Sequence, residues 1–303
     1  MTNLRWARPE ERDEIQTYLF ENMGKISHKQ WRNILDCRWN ETDDRYGVVV
    51  EENGVLAGFL GIVFAERILS GKPCRTGNIT SWFLEKHLRR GGLGQEMLAL
   101  ITEPAGVTYT ATSANFRSGA LLEKIGWQLL EDTRLFWHRS EIVSVDGIKL
   151  LTGASVVEKM LKTEDAKILR DHKHLNLTPH LLLTPTDEKL FFITYVKNKG
   201  EAGTAHYEIL HTGDSVLLAK HIHCIANMLL PEKNAVLSSD KRFVCPQYGK
   251  QNVTAESTSL SEMKFSDSQT LQVPRYFKPV DNLAAEEIDF LYGEVVLLDL
   301  KIY

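Results

Sequence analysis

The sequence predicts a mixed α/β fold in two domains, and three observations carry that expectation. At 303 residues the chain exceeds one ordinary domain. Short β-branched and aromatic runs alternate with stretches of helical apolar spacing in the first half. The pattern weakens over residues 140–153 and then resumes, which predicts a boundary between domains 1–140 and 141–303.

Each element has a local reason. Residues 3–8 are expected to be a strand, stopped by Pro9. Residues 9–23 are expected to be a helix with Pro at its first position and Glu10, Glu11 and Asp13 near its positive end. Ser27 is a plausible N-cap for a second helix over 27–39, with Trp31, Ile34, Leu35 and Trp39 near one face. Asn53-Gly54 between apolar runs predicts a hairpin of strands 46–52 and 55–68. Residues 70–77 read as a turn-rich connection and 78–84 as the next strand. A further strand is expected at 107–112, a helix at 115–125 closed by Gly126, and a strand at 127–138. In the second half, 154–172 looks helical. Strands are expected at 180–183, 189–197 and 206–212, then a helix over 214–229 with Asp214 as N-cap. Residues 234–273 read as polar and irregular, serine-rich over 257–268. A helix at 283–293 and a strand at 295–302 close the chain.

Composition removes several function classes. The chain is 43% hydrophobic and 25% charged with a net charge of -4, which argues against non-specific nucleic-acid binding. The longest apolar run, residues 55–65, is too short to span a bilayer. The first residues carry charges where a secretory leader would be apolar. Cys37, Cys74, Cys224 and Cys245 show no C-x-x-C spacing, so a reducing cytoplasm is expected and no disulfide framework.

The most informative stretch is Trp82-Phe83-Leu84 followed by Arg89-Arg90-Gly91-Gly92-Leu93-Gly94-Gln95. A strand leads into a basic glycine loop, and apolar spacing from Leu93 opens a helix. Glycines let the backbone come close to a ligand, and a helix N-terminus adds unsatisfied donors and partial positive charge. Arg89 and Arg90 add forked donors suited to phosphate oxygens. A dinucleotide fingerprint fails because its third glycine position is Met97, and no P-loop motif occurs.

Arg89-x-x-Gly92-x-Gly94 after a strand resembles the acyl-CoA pyrophosphate loop of the GNAT acyltransferase superfamily. Asn115-Phe-Arg-Ser-Gly-Ala-Leu-Leu-Glu-Lys-Ile-Gly-Trp127 resembles that family's Asn-led helix ending in a Gly-aromatic pair. The resemblance covers residues 3–139. It implies a GNAT fold in the N-terminal half, acetyl-CoA as cosubstrate and a primary amine as acceptor, such as an amino sugar. By the same resemblance, Trp82, Phe83, Leu84, Arg89, Arg90, Gly91, Gly92, Leu93, Gly94, Gln95, Asn115 and Ser118 would contact CoA. The Leu84 N–H would face the thioester oxygen, a contact worth roughly 2.7 to 4 kcal/mol in a studied hydrolase. The first two helices would wall the acceptor site, although Trp31 and Ile34 read first as core. The second half resembles a degenerate GNAT half, a lid or substrate-binding domain without a second R-x-x-G-x-G and so without a second CoA site.

Proton transfer is where the sequence departs from the family. The family's usual Tyr acid falls at Leu122, which cannot donate a proton. Water or Ser118 would have to serve, with Tyr109 and His87 further possibilities. For the base, Asn78, Thr80, Ser81, Glu123 and His87 lie close in sequence, and none is a strong candidate against a water chain. The acid and base therefore stay unassigned. Seven of ten histidines lie between His172 and His223. The pairs 172/174 and 221/223 would share a face only on a strand, no Cys or acidic set completes either, and no metal is expected. The alternatives kept open are a longer acyl donor and a non-catalytic CoA-binding module.

Overall fold

The structure, a computed structural model, describes residues 1–24, 26–36, 39, 43–69, 71–140, 146–199, 203–244, 267–280, 283 and 285–298. In chain order, β1 (Thr2–Trp6) leads through a single 3-10 turn to α1 (Arg12–Met23) and α2 (His28–Leu35). Next come β2 (Gly47–Glu52), β3 (Val55–Leu69), β4 (Lys72–Leu84), α3 (Leu93–Ile101), β5 (Val107–Ala111), α4 (Phe116–Lys124) and β6 (Gln128–Trp137). The remainder is β7 (Lys149–Thr152), α5 (Ala154–Val157), α6 (Thr163–His172), β8 (Thr178–Leu183), β9 (Lys189–Lys199), β10 (Thr204–Thr212), α7 (Ser215–Leu229), β11 (Ala235–Asp240), β12 (Asp267–Lys278) and α8 (Glu294–Leu297).

The expected local signals explain most of these limits. Ser27 opens α2 with a reciprocal box: its Oγ accepts from the Gln30 N–H at 3.4 Å, and its own N–H donates to Gln30 Oε1 at 3.1 Å. Asn53 and Gly54 take φ of 53° and 81°, the left-handed pair that a two-residue hairpin needs. Asp214 caps α7 by accepting from the Leu217 N–H at 2.9 Å.

Four expectations change. Residues 72–77 are not a connection but the first half of β4, paired along β3 from Arg67–Cys74 to Phe64–Gly77. The helix expected over 154–172 is two helices with a 3-10 turn between them. The stretch 234–273 contains β11 and part of β12, while the serine-rich run 257–268 lies almost wholly outside the described residues. Over the described residues, the expected terminal helix and strand are a 3-10 turn at Ala285–Glu287 and the four-residue α8, and residues 284 and 299–302 of those expectations lie outside the described residues. The polar residues at the end of β11 are buried on both faces of the sheet, so a hydropathy pattern cannot announce them: Ser238, Ser239 and Asp240 are fully buried.

The chain forms two compact units that alternate along the sequence. The first comprises residues 1–130, 273–283 and 292–302, and the second residues 131–272 and 284–291. In the first unit the strand order is β1-β2-β3-β4-β5-β12, antiparallel except for the parallel pair β4–β5. Its core packs Val48, Leu60, Ile62 and Ile79 of the sheet against Met97, Leu98 and Ile101 of α3 and Leu122 of α4. In the second unit the order is β6-β11-β10-β9-β8-β7, antiparallel except for β10–β11. Leu218, Ile222 and Ile225 of α7 are buried there together with Phe192 and Ile209 of the sheet. Each unit is a mixed α/β layer built on the same device, a hairpin whose second strand continues through a helix to a parallel partner.

Candidate active site

The site is a fork between two strands. The β4–β5 ladder runs from Arg75–Val107 to Asn78–Thr110 and stops, while β4 continues to Leu84. On its other side β4 stays paired with β3, but the register shifts between Phe59–Phe83 and Gly61–Thr80. One extra residue is thus accommodated on β4, and Ser81 takes φ 53° at that point. A bulge of this kind bends the strand and twists it away from its neighbour. The Glu85 N–H donates to the Ala57 carbonyl at 2.9 Å, on the β3 side. Backbone groups of successive strand residues face opposite edges, so the Leu84 N–H points to the open side of the fork. The Leu84 carbonyl accepts from Arg89 Nε at 2.6 Å.

The loop that follows is built to leave backbone donors bare. Gly92, the residue just before α3, has φ 84°, a conformation that L side chains rarely adopt. A Cβ at Gly91 or Gly92 would meet nothing within 4 Å, so the glycines leave open space above the helix N-terminus. The Gly92 carbonyl accepts from the N–H groups of Gln95 and Glu96, at 2.8 and 3.2 Å, so the first-turn donors that lie before the first helical bond are those of Leu93 and Gly94. The Arg89 guanidinium also stacks over Phe83, 5.4 Å from the ring centre. Its position between strand end and loop joins the two parts of the site. These features, open loop, free donors and adjoining cation, fit a phosphate-bearing substrate.

The other sequence candidates have mostly structural partners. Asn115 caps α4: its Oδ1 accepts from the Arg117 and Ser118 N–H groups at 3.0 and 3.1 Å. Ser118 Oγ donates to the Asn115 carbonyl at 3.0 Å. Leu122 is buried in the core, and the Tyr109 hydroxyl donates to the Pro104 carbonyl at 2.8 Å. Burial pushes Tyr109 up to about 12. His87 is an exposed partner of Glu52 at 2.8 Å. Glu123 accepts from the Tyr276 hydroxyl at 2.9 Å, and the Tyr276 ring lies against Gly119, where an added Cβ would come within 2.9 Å of it. Trp31 and Ile34 are buried to within 1% and belong to the core.

A buried polar cluster lies at the crotch of the fork. Asn78 Nδ2 donates to Thr110 Oγ1 at 2.9 Å and to Thr112 Oγ1 at 3.3 Å. Its Oδ1 accepts from the Glu294 N–H at 2.9 Å. The Glu294 carboxyl is hydrogen-bonded to the hydroxyls of Ser113 and Thr80. Thr80 Oγ1 lies 3.0 Å from Ser81 Oγ. Burial drives Glu294 up from the ordinary carboxylate range to about 7, and the two hydroxyls only partly offset this. Glu294 was not among the sequence candidates because it falls far beyond the recognisable motifs. The signal available was a lone acid inside the apolar run 290–298, since an unpaired charge is rarely left in such a run without a purpose.

Among the described residues no group of three His, Cys, Asp or Glu could hold a metal ion. His172 sits between the Ile168 and Leu291 carbonyls at 2.8 Å each. No described helix is long and apolar enough to cross a membrane. Cys74 and Cys224 are half-buried, and Cys37 and Cys245 lie outside the described residues.

Comparison with known proteins agrees with this geometry. Residues 5–127 match the family described as "Acetyltransferase (GNAT) family". No curated protein matches the sequence. A GCN5-related N-acetyltransferase from Kribbella flavida superposes with a TM-score of 0.57 at 8% identity, covering 93% of this chain and 71% of that one. One from Anabaena variabilis gives 0.55 at 12% identity, covering 92% and 72%. A conserved protein of unknown function from Enterococcus faecalis, titled a probable N-acyltransferase, gives 0.54 at 12%, covering 94% and 73%. At these identities the likeness is one of fold, and it extends over both units.

Proposed function

We propose that this chain, whose residues 5–127 form a domain of the GNAT acetyltransferase family, moves an acetyl group from acetyl-CoA to a primary amine of a small molecule, such as an amino sugar. The observation that carries the reading is the continuity of the bulged, one-sided end of β4 with the glycine loop and the N-terminus of α3. An open strand edge can take an extended pantetheine arm by backbone hydrogen bonding, as peptides add to exposed edges. The α3 N-terminus with Arg89 and Arg90 suits the pyrophosphate, with Gly91, Gly92, Leu93, Gly94 and Gln95 supplying close backbone. The Leu84 N–H then serves as a donor to the thioester oxygen as negative charge develops there. The reaction needs no metal in this reading, and the cytoplasm is its expected place.

The test is a double replacement. Arg89→Glu with Gly92→Val reverses the charge and puts a branched side chain at a φ of 84°. Calorimetry should show acetyl-CoA affinity lost at least tenfold in a variant whose melting shows it folded. Unchanged affinity overturns the assignment. A second reading, a CoA-binding module without turnover, is favoured by Leu122, a buried leucine where the family has its phenolic acid. Release of thiol from acetyl-CoA in the presence of an amine panel separates the two.

A further inference from the structure

We propose that Glu294, carried into the first unit by the returning C-terminal segment, is the terminal acceptor of the amine proton, reached through the hydroxyls of Ser81 and Thr80. The assignment rests on the acyl-transfer reading above and adds to it the group that the sequence left unassigned.

The geometry supports a relay rather than direct contact. Ser81 sits on the bulge itself, beside the strand end where the thioester is expected. Its hydroxyl lies 3.0 Å from that of Thr80, and the Thr80 hydroxyl is bonded to the Glu294 carboxyl. Each hydroxyl can accept a proton on one side and release its own on the other. Ser113 holds the carboxyl from its second side, and Asn78 fixes the backbone N–H of Glu294 at 2.9 Å. Gly293 allows this approach, because a Cβ there would come within 2.7 Å of the Asn78 side chain. On the far side, α2 presents Gln30 and Asn33 to the segment, as donors to the Leu298 and Leu297 carbonyls at 2.6 and 3.5 Å.

Charged groups nearby are otherwise engaged. Arg67 on β3 stacks over the Tyr292 ring at 4.6 Å, and Arg275 on β12 donates to the Thr112 carbonyl at 2.7 Å. The side chains bonded to Glu294, those of Thr80, Ser113 and Asn78, are hydroxyls and an amide, which do not titrate in the working range. Burial therefore dominates, and it sets Glu294 near 7, where a carboxylate can both take and give up a proton.

The proton balance closes. The ammonium form of the acceptor gives one proton to Ser81 Oγ, the Ser81 proton moves to Thr80 Oγ1, and the Thr80 proton moves to the Glu294 carboxylate. The neutral nitrogen attacks the thioester carbon, an N–C bond forms and the C–S bond breaks. A second nitrogen proton ends on the leaving sulfur, giving the free thiol of CoA. Glu294 returns its proton to water before the next turnover.

The experiment is the pH profile of kcat/KM for thiol release from acetyl-CoA. It uses the best amine of a broad panel, or hydroxylamine as a minimal acceptor, in wild type, Glu294→Gln, Glu294→Asp, Thr80→Val and Ser113→Ala. Acetyl-CoA affinity is measured in parallel by calorimetry. The wild type should show a rising limb near pH 7. Glu294→Gln should lose roughly 100-fold or more in kcat and lose the limb, with CoA affinity unchanged within about twofold. Glu294→Asp should recover part of the rate. Thr80→Val should lower kcat while KM for the amine stays put. Ser113→Ala should move the limb upward, because one of the bonds that favour the carboxylate is gone. A Glu294→Gln enzyme within threefold of wild type, with the same limb, overturns the assignment and leaves acyl transfer standing. Loss of CoA affinity along with rate, in Glu294→Gln and Glu294→Asp alike, also overturns it, in favour of a packing role. A wild type that binds CoA but acylates no amine overturns the transfer reading itself, and Glu294's role with it.

Discussion

Glu294 shows how one side chain can serve a reaction at a cost to the fold. Its folded value, about 7, lies above that of an exposed carboxylate. The folded state therefore binds this proton more tightly than the unfolded chain does. The stabilisation is complete below the unfolded value near 4.5 and is lost as pH rises through about 7. The loss amounts to about 3 kcal/mol at the alkaline end. A glutamine carries no charge at any pH, so Glu294→Gln should raise the melting temperature at pH 8.5 by roughly 5 to 10 °C. At pH 4.5 the same change should leave it nearly unmoved. Scanning calorimetry at the two pH values checks this, and an equal shift at both would show that the wild-type carboxyl is not the source. The sign also fits a general pattern, in which functional groups are held in protonation states that stability alone would not choose.

At the scale of elements, the fork depends on two unlike pieces of chain meeting. The bulge at Ser81 opens β4 away from β5, and the segment around Gly293 and α8 fills the crotch. Gly293 has extended φ, so its value lies in the space it leaves and not in its conformation. Gly293→Ala should push the segment off Asn78, costing about 1 to 3 kcal/mol as overpacking does. Turnover should fall with it while acetyl-CoA affinity holds, because the loop at Gly92 is untouched. Equal losses of binding and turnover, read by calorimetry and thiol release, would count against that separation. The Ser27 box on α2 offers a control of known size. Ser27→Ala should cost about 1 kcal/mol in thermal stability and nothing in CoA affinity.

At the scale of the molecule, the second unit repeats the fork and closes it. The β10–β11 ladder runs from Ala205–Ala235 to Glu208–Ser238 and stops, as β4–β5 does, and β10 carries its own register shift between Ile209 and His211. Here, however, the Phe290 N–H donates to the Leu210 carbonyl at 3.2 Å, and Asp289 meets His211 at 2.8 Å. The edge that an extended ligand would need is met by the chain's own Asp289 and Phe290. The strand-to-helix connection is Gly213-Asp214, and the Asp214 carboxylate occupies the helix N-terminus where a phosphate would otherwise go. Glu208 at the crotch is bonded to the fully buried Arg134, which also holds Asp240 at 2.8 Å. A buried pair of that kind is strongly destabilised by removing one partner. We therefore expect one acetyl-CoA per chain in calorimetry and no CoA density within residues 131–272 of a soaked crystal. A stoichiometry of two would contradict this.

What the sequence determined by itself was local. The Asn53-Gly54 turn, the caps at Ser27 and Asp214, and the loop from Arg89 to Gly94 each act through residues within a few positions. Their chemistry is therefore complete in a short reading frame. The family of residues 5–127 was legible for the same reason, since two compact motifs carry it. Only the tertiary structure decided the rest. Residues 72–77 became strand because β3 lies alongside, and the buried Asp240 that ends β11 is held by Arg134 of β6, far away in sequence. Residues 273–278 and 292–298 rejoin the first unit from the end of the chain, 216 positions beyond Asn78 in the case of Glu294. Loop closure of that length leaves no periodic or compositional mark, because its cost is entropic and its reward is paid by contacts formed only after folding. The group proposed to take the proton was therefore hidden from the sequence, while the loop proposed to hold the phosphate was plain in it.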